Sequence, residues 1–278
     1  MALLVVAPWR KPAGVTVSSP QVPFRPSISM LGWGLDERDN LPSYLERAEH
    51  FLRSVTDDFE VIVVDDGSTD GMWEVATEAQ RTRPWLKLLK NDRNSGAAYS
   101  AKRAIRAATK DYIFWQTVDW AYDISGLAAV LPLLRDFDIL QGVRVNALTA
   151  TAFSLRSDTS WKGLISHTNY RLVRLLFRLP LNDYQNVTVY PRALLQSFEF
   201  ETDSSFMNPE LLLKAWWSGA SFREVAIPFI KRQRGVAKGT RWTSIVRSIR
   251  DIFYWWFVWI VLGRRAQKAT GRVVHVSR

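Results

Sequence analysis

Acidic side chains directly follow two predicted strands, and they are the residues of this chain best placed to do chemistry. Residues 59–64 form a continuous, mostly β-branched run typical of a central parallel strand, and an Asp-Asp-Gly-Ser turn begins at Asp65. Asp119 follows a second predicted strand over residues 112–117. Ligands of open α/β sheets bind beyond the carboxyl ends of the strands. Both groups are therefore predicted in one crevice, where Asp66 and Asp119 could hold a divalent cation against a diphosphate.

A third candidate is a basic stretch that contains Arg232 and Lys238 beside two glycines. Basic side chains on such a loop suit phosphate binding. Each motif also has an ordinary structural explanation: Ser68 could cap the next helix, Asp119 could cap its strand, and the basic loop could be solvated. Function is favoured for the first turn, because two adjacent acids after a fully buried strand are uncommon. Asp119 and the basic loop are weak signals on their own.

The elements that must position these residues alternate between strand and helix through the first half of the chain. The pattern predicts strands over residues 27–31, 59–64, 85–89, 112–117, 138–143 and 223–230. It predicts helices over residues 39–52, 72–81, 95–108, 124–134, 161–179, 210–217 and 240–262. Such alternation is typical of a parallel α/β sheet covered by helices.

Composition narrows the class of protein. The chain has 278 residues, a formal net charge of +10, 13 tryptophans and no cysteine. Disulfides, thiolate metal sites and cysteine nucleophiles are therefore excluded. The basic balance favours anionic partners such as nucleic acid, a phosphate-bearing substrate or an anionic membrane face. The longest apolar run, residues 252–262, would span roughly 16 Å as a helix, too short to cross a bilayer alone.

Several blocks, in one order, resemble the family 2 glycosyltransferases. The stretch from Asp36 resembles their Asn-Glu-x-x-Asn-Leu signature, and the turn from Asp65 resembles their Asp-Asp-Gly-Ser-x-Asp-Gly element. Asn94 opens a stretch similar to their Asn-x-Gly helix start. The strand ending at Asp119 falls where the family carries Asp-x-Asp, although Thr117 replaces the first acid.

Later blocks extend the resemblance. Asp183, followed by Asn186 and Arg192, resembles the Asp…Arg block beside the acceptor, and Glu210 resembles the acidic helix start after it. Arg232, Gly235 and Lys238 match the block of polyprenyl-phosphate sugar synthases, the dolichol-phosphate mannosyltransferase-like branch.

The resemblance implies a GT-A fold, a Rossmann-like and mostly parallel sheet, and inverting transfer from a UDP- or GDP-sugar with Mg²⁺ or Mn²⁺. It implies nucleotide-binding roles for Asp36, Glu37, Asp65, Asp66, Gly67, Ser68 and Asn94. It implies catalytic roles for Asp119, Asp183, Glu210, Arg232 and Lys238, of which Asp119 would hold the metal. The acceptor would be a polyprenyl phosphate or related lipid-linked glycan. A hydroxyl acceptor would need a base, for which Asp183 and Glu210 are the candidates.

Two basic amphipathic stretches, residues 161–179 and 240–262, suit helices that lie in a membrane interface. In the second, Ile245, Ile249, Phe253, Trp256 and Ile260 share a predicted apolar face. We therefore expect a loosely ordered extension over residues 1–25, a catalytic domain over 26–239, and an interfacial amphipathic helix and tail over 240–278. The expected location is the cytoplasm, peripheral on the inner face of the membrane, with a role in envelope glycans.

Three alternatives stay open from the sequence. The enzyme could use a saccharide or other soluble hydroxyl acceptor. With Thr117 in place of an acid, the chain could instead bind sugar nucleotides without catalysis. The amphipathic helices could form a core or a homodimer rather than meet a membrane. Nucleic-acid binding is not expected, because no known binding motif accompanies the charge and the carboxylate crevice would repel phosphates unless it carried a metal.

Overall fold

The computed structural model describes residues 24–144, 170–228, 230 and 242–264. In the last of these segments, side chains are described from residue 248 onward. The strands are β1 Ile28–Gly34, β2 Phe59–Asp65, β3 Leu86–Lys90, β4 Tyr112–Trp115, β5 Ile139–Val143, β6 Thr188–Pro191 and β7 Phe222–Ala226. The helices are α1 Leu41–Val55, α2 Met72–Gln80, α3 Ala97–Ala107, α4 Leu127–Val130, α5 over residues 170–177, α6 Arg192–Gln196, α7 Met207–Trp217 and α8 Trp242–Trp256. A 3₁₀ turn, Leu131–Arg135, extends α4, and a π-helical turn, Phe257–Val261, extends α8.

The seven strands form one sheet in the order β3-β2-β1-β4-β6-β5-β7. Strands β1 to β4 pair in parallel, and β5 pairs in parallel with β7. Strand β6 is antiparallel to both β4 and β5, and so runs against the other six. The chain moves outward from β1 to β3 and then returns to β4 on the other side of β1. This reversal is the kind of switch point at which open α/β sheets bind ligands.

Helices cover both faces of the sheet, because the central strands are buried on both sides. In β2, Val61 and Val63 face a core built with α1, α2 and α4, whereas Ile62 and Val64 face α3, α5, α6, α7 and α8. This alternation is the period of two expected of a strand, and it explains why residues 59–64 read as an unbroken apolar run.

The π-helical turn after α8 docks on the second of these cores. Trp259 is fully buried and stacks against Trp255 and Phe206, with Phe177 and Trp217 edge-on. No helix in the described part of the chain is both long and apolar enough to cross a membrane.

Most predicted elements are present, with shifted ends. Strand β6 and helix α6 were not predicted, and β7 ends at Ala226 rather than at residue 230. The predicted apolar face of the last helix is also only partly correct. Trp256 is half-buried against the core, whereas Phe253 is 46% exposed, and the inward residues are Ile252 and Trp259. Residues 161–169 of the predicted amphipathic helix lie outside the described residues.

Candidate active site

The site lies where β1, β2 and β4 end side by side. Gly34 of β1 is in register with Asp65 of β2, and Leu31 is in register with Trp115, the last residue of β4. The loops that follow these strands therefore leave the sheet at one edge. Asp36, Asp66 and Asp119 stand on these three loops, so the predicted convergence of the acidic motifs at the carboxyl edge is observed.

Hydrogen bonds tie the loop after β1 to the turn after β2. The Asp36 amide donates to Ser68 Oγ at 2.9 Å, and the Thr69 amide donates to Asp36 Oδ1 at 2.9 Å. The Arg38 amide donates to Asp70 Oδ2 at 2.9 Å. Asp36 has a backbone φ of 54°, a conformation that aspartate tolerates better than most residues. Asp36 and Ser68 thus help to join the two loops at the carboxyl edge of the sheet.

Glu37 stands next to Asp36 and is partly buried. Its Oε2 accepts a 2.6 Å hydrogen bond from Asn40 Nδ2, just before α1 begins at Leu41. Asp36 and Glu37, for which contacts with a nucleotide were predicted, therefore both have side-chain hydrogen bonds that shape this loop.

Asp65 carries the clearest sign of a missing partner. The residue is 1% exposed, and its Oδ1 accepts the Ser68 amide at 2.8 Å. Its Oδ2 is buried and has no hydrogen-bond partner among the described residues. A buried carboxylate oxygen without a donor is costly, so this atom marks a place for a ligand group that donates a hydrogen bond.

Asp66 is fully engaged in positioning α3. Its Oδ1 accepts from Asn91 Nδ2 at 2.6 Å and from the Ser95 amide at 2.9 Å, and its Oδ2 accepts the Gly96 amide at 2.9 Å. These amides lie at the start of α3, where a negative charge is stabilising. Asp66 therefore fixes the loop over residues 91–96, whereas Asp65 has a buried oxygen without a described partner.

Gly67 allows that loop to approach the turn closely. Its φ is +79°, and a Cβ at this position would lie 2.6 Å from the Arg93 carbonyl carbon and 2.8 Å from the Asn94 nitrogen. Asn94 itself is exposed beside the turn. The turn from Asp65 to Ser68 thus lies against Asn94. The nucleotide-binding role of these residues stays a prediction.

Asp119 lies on a tight turn from Thr117 to Trp120. The Trp120 amide donates to the Thr117 carbonyl at 2.8 Å, and the Ala121 amide donates to Thr117 Oγ1 at 2.9 Å. Thr117, which occupies the position of the family's first acid, therefore uses its hydroxyl oxygen inside the turn. Asp119 is partly buried, and its hard carboxylate oxygens suit Mg²⁺ or Mn²⁺.

The donor set at this edge fits a cation held jointly by the protein and a diphosphate. Among the residues that the structure describes, no group of three or more acidic or imidazole side chains could hold a metal by itself. Mg²⁺ commonly binds through one or two carboxylates plus phosphate oxygens. Asp119 together with a diphosphate meets that requirement.

The two side chains predicted as bases are both hydrogen-bonded to other parts of the protein. Asp183 is 4% exposed, and four donors reach it: the Arg144 amide at 3.1 Å, Arg144 Nε at 2.6 Å, Arg144 Nη2 at 2.9 Å and the Gln185 amide at 2.9 Å. Burial opposes the charge of Arg144, but the contact with Asp183 outweighs it and raises the guanidinium pKa. Both oxygens of Asp183 are occupied by this buried ion pair, a geometry that disfavours a base, and its catalytic role stays a prediction.

Glu210 is likewise buried, with 0% of its surface exposed. Its Oε1 accepts from the Glu201 amide and from Lys214 Nζ, both at 2.7 Å. Its Oε2 accepts from the Thr202 amide at 3.0 Å and from Thr202 Oγ1 at 2.6 Å. Both oxygens of Glu210 thus accept hydrogen bonds from protein groups, a geometry that disfavours a base, and its catalytic role stays a prediction.

The other predicted residues are placed as follows. Arg192 follows the carboxyl end of the antiparallel β6, next to Asp111, so it lies at the opposite edge of the sheet from the crevice.

Arg232 and Lys238 lie outside the described residues. The chain before them is anchored beside the Asp119 turn, because the Ile230 amide donates to the Ala121 carbonyl at 2.8 Å and the Asp123 amide donates to the Pro228 carbonyl at 2.9 Å.

Sequence reasoning missed Asn91 and Arg144. Asn91 is buried and supports Asp66, and its Oδ1 accepts from Arg103. Arg144 directly follows β5 and brings a cation to the carboxyl edge, with 23% of its side chain exposed. In the sequence, both are marked only by their position as polar residues shortly after a predicted strand.

Comparison with known proteins places this architecture among characterised families. A family model described as "Glycosyl transferase family 2" matches residues 38–195. Glycosyltransferase AglD of Haloferax volcanii is 25% identical over 231 residues, which cover 81% of this chain and 36% of AglD. The chain therefore spans about a third of the length of that curated relative.

Solved structures share the fold. A mannosyltransferase from Pyrobaculum calidifontis, determined with GDP-Man and Mn²⁺, superposes with a TM-score of 0.57 at 17% identity, covering 83% of this chain and 65% of that one. Glucosyl-3-phosphoglycerate synthase from Mycobacterium tuberculosis, determined with Mn²⁺, UDP and glucosyl-3-phosphoglycerate, has a TM-score of 0.56 at 15% identity, covering 82% and 80%.

Proposed function

The chain belongs to glycosyl transferase family 2 and is a glycosyltransferase with a GT-A fold, and from that premise we propose that it transfers a sugar from a UDP- or GDP-sugar to a phosphate-bearing lipid acceptor. The observation that carries the donor half of the proposal is the buried, unpartnered Oδ2 of Asp65. It lies at the end of β2, beside β1 and so one strand from the switch point between β1 and β4. A nucleotide base or ribose supplies the N–H or O–H group that this oxygen lacks.

The cation is proposed to sit between Asp119 and the donor diphosphate. When bound, Mg²⁺ or Mn²⁺ would neutralise charge on the departing nucleoside diphosphate. The two solved structures named above contain Mn²⁺ together with GDP-Man or UDP, which supports a divalent cation here. Arg232 and Lys238 are proposed to neutralise the same leaving group, and the described residues just before them, Pro228 and Ile230, bond to the chain that follows Asp119.

In the proposed reaction the acceptor oxygen forms a bond to the anomeric carbon while the bond from that carbon to the diphosphate breaks. Attack from the face opposite the leaving group inverts the configuration. The acceptor phosphate oxygen supplies the electron pair, and the nucleoside diphosphate leaves with the electrons of the broken bond.

The hydrogen bonds that the two predicted bases accept favour a phosphate acceptor over a hydroxyl acceptor. Asp183 and Glu210 each accept hydrogen bonds from four donors, so neither has an oxygen ready to take a proton. A phosphate oxygen is already anionic at neutral pH and needs no base. Arg144 also lies at the carboxyl edge and is partly exposed, but its charge is paired with Asp183.

The lipid half of the proposal rests on the outer face of α8 and its π-helical turn. Phe253, Tyr254, Phe257, Val261 and Leu262 are each 46–57% exposed there. Exposed aromatic residues with neighbouring cations suit a helix that lies in a membrane interface. We therefore retain the domain division at residues 26–239 and 240–278, and a peripheral position on the inner membrane face, as parts of the proposal.

Donor binding tests the proposal most directly. Thermal shift with UDP- and GDP-sugars, with and without Mn²⁺, should show stabilisation by one nucleotide series that increases with Mn²⁺. Asp65→Asn removes the charge and the acceptor at Oδ2, and should weaken that binding at least about tenfold. The matched control is Asp111→Asn, an exposed acid at the amino end of β4. Equal affinity of Asp65→Asn and wild type would remove Asp65 from the donor site.

The acceptor is tested separately with the wild-type enzyme and the donor that binds. Transfer to a short polyprenyl phosphate, with no transfer to phosphoglyceric acid or to free saccharides, is the expected result. Transfer to a soluble acceptor alone would overturn the lipid part of the proposal and leave the donor part intact.

A further inference from the structure

Trp120, the residue directly after Asp119, has a left-handed backbone conformation with a φ of 54°. Bulky side chains rarely adopt positive φ, because the Cβ crowds the adjacent carbonyl oxygen. Such a conformation persists only where the surrounding structure imposes it, and it is found most often at functional sites. The contacts that hold Trp120 are therefore informative.

Two sets of contacts hold Trp120 in place. Its amide closes the turn by donating to the Thr117 carbonyl at 2.8 Å. Its ring packs edge-on against Tyr44 of α1, with centroids 5.8 Å apart, and the Arg47 guanidinium lies 5.7 Å above the ring centroid. The backbone bond fixes one side of Asp119, and the ring contacts with α1 fix the other.

Tyr44 is itself firmly held. It is 1% exposed, and a Cβ at Gly32 of β1 would lie 2.4 Å from its hydroxyl oxygen. Tyr44 also belongs to the first turn of α1, which begins immediately after the Asp36 loop. The Trp120 ring therefore connects the turn that carries Asp119 to β1 and to the loop that borders the donor.

We propose that Trp120 is a positioning residue for metal binding, whose ring on Tyr44 and Arg47 holds the Thr117–Trp120 turn so that the Asp119 carboxylate stands ready for the cation. This inference rests on the proposed function, since it requires Asp119 to share a cation with the donor diphosphate. Trp120 acts through Asp119 and has no direct contact with substrate in this proposal.

Three variants separate this role from simple structural support. Trp120→Asn removes the ring but keeps a residue that tolerates positive φ. Trp120→Phe keeps an aromatic ring over Tyr44. Trp85→Asn is the control and removes another half-buried tryptophan. Trp85 lies just before β3 and packs on Phe59 at the amino edge of the sheet, away from Asp119. Urea unfolding of all three reports any general loss of stability.

The readout is Mn²⁺ binding, followed by the electron paramagnetic resonance signal of free Mn²⁺ in the presence of UDP or GDP. Trp120→Asn should raise the Mn²⁺ dissociation constant at least about tenfold, the scale seen when groups that orient metal ligands are removed. Trp120→Phe should stay close to wild type, and Trp85→Asn should bind Mn²⁺ normally even where it is less stable.

The outcomes distinguish the two levels of inference. Wild-type Mn²⁺ affinity in Trp120→Asn, or equally weak binding in Trp120→Phe and Trp120→Asn, overturns the role of the ring and leaves the proposed function standing. Failure of the wild-type protein to retain Mn²⁺ with either nucleotide overturns the metal part of the proposed function, and the role of Trp120 with it.

Discussion

Asp65 and Asp66 are adjacent in the chain, yet their carboxylates have different partners. Asp66 accepts three hydrogen bonds that fix the start of α3, whereas one oxygen of Asp65 is buried with no partner in the described chain. Successive residues at the end of a strand point to opposite sides, so the two acids reach different surroundings. Asp66 organises the start of α3, and Asp65 is the acid for which we propose a contact with the donor.

Gly67 and Gly71 provide a matched test of the turn that carries these acids. Both have positive φ, +79° and +91°, but a Cβ at Gly67 would meet Arg93 at 2.6 Å, whereas at Gly71 the nearest atom is 3.7 Å away. Gly71→Ala should lower the free energy of unfolding by about 1 kcal/mol, the cost of the backbone conformation alone. Gly67→Ala should cost about 3 kcal/mol, since the Arg93–Asn94 backbone must also shift, and should weaken donor binding. Urea denaturation with and without donor measures both, and equal costs would contradict the packing.

At the scale of elements, Glu60 joins three strands at the amino edge of the sheet, away from the crevice. It is 3% exposed, and it accepts from Ser29 of β1 at 2.6 Å, from Lys87 of β3 at 2.5 Å and from the Thr109 amide before β4 at 2.6 Å. Burial by itself would raise the pKa of Glu60, but these three partners outweigh it and lower the pKa below its usual 4.5.

Glu60 should therefore make stability depend on pH in the acid range. A lowered pKa in the folded state adds stability that is complete above pH 4.5 and is lost as the pH falls through the folded-state pKa. Glu60→Gln should destabilise the protein by about 2 kcal/mol at pH 7, and by progressively less below about pH 4.5. Urea unfolding between pH 3 and 7 tests this, with Asp58→Asn, an exposed acid at the same edge, as the control. A destabilisation that stays constant with pH would show that the charge of Glu60 is not involved.

The whole molecule combines a net charge of +10 with an exposed apolar strip on α8. Helix α5 packs beside the π-helical turn through Phe177, and Leu175 of the same helix is 75% exposed. Four arginines on or next to α5 and α8 are exposed as well: Arg171, Arg178, Arg250 and Arg264. Exposed cations and exposed apolar side chains on or next to the same two helices, α5 and α8, are the combination that suits a surface of anionic lipid.

Flotation with vesicles containing anionic lipid should therefore recover the wild-type protein. Phe257→Glu should reduce the recovered fraction several-fold, because it places a negative charge in the apolar strip. Tyr99→Glu, at an aromatic residue of α3 that is similarly exposed, should have little effect. Loss of a solution dimer in Phe257→Glu without loss of flotation would instead assign the strip to a second copy of the chain.

The sequence by itself determined the order of strands and helices in the first half of the chain, and the three loops on which Asp36, Asp66 and Asp119 stand. Both follow from local information: β-branched runs, helical spacing and the turn residues that come after each strand. Parallel strands present their carboxyl ends at one edge, so the meeting of these loops could also be predicted.

Only the tertiary structure decided which groups Asp183, Glu210 and Trp120 contact. The bidentate partner of Asp183 is 39 residues away, and the ring of Trp120 rests on a helix more than 70 residues earlier in the chain. Strand β6, with four residues and an antiparallel direction, pairs with β4 and β5 from distant parts of the sequence. Burial and hydrogen-bond partners at such separations depend on how the elements pack. No local pattern shows that a carboxylate already has four donors.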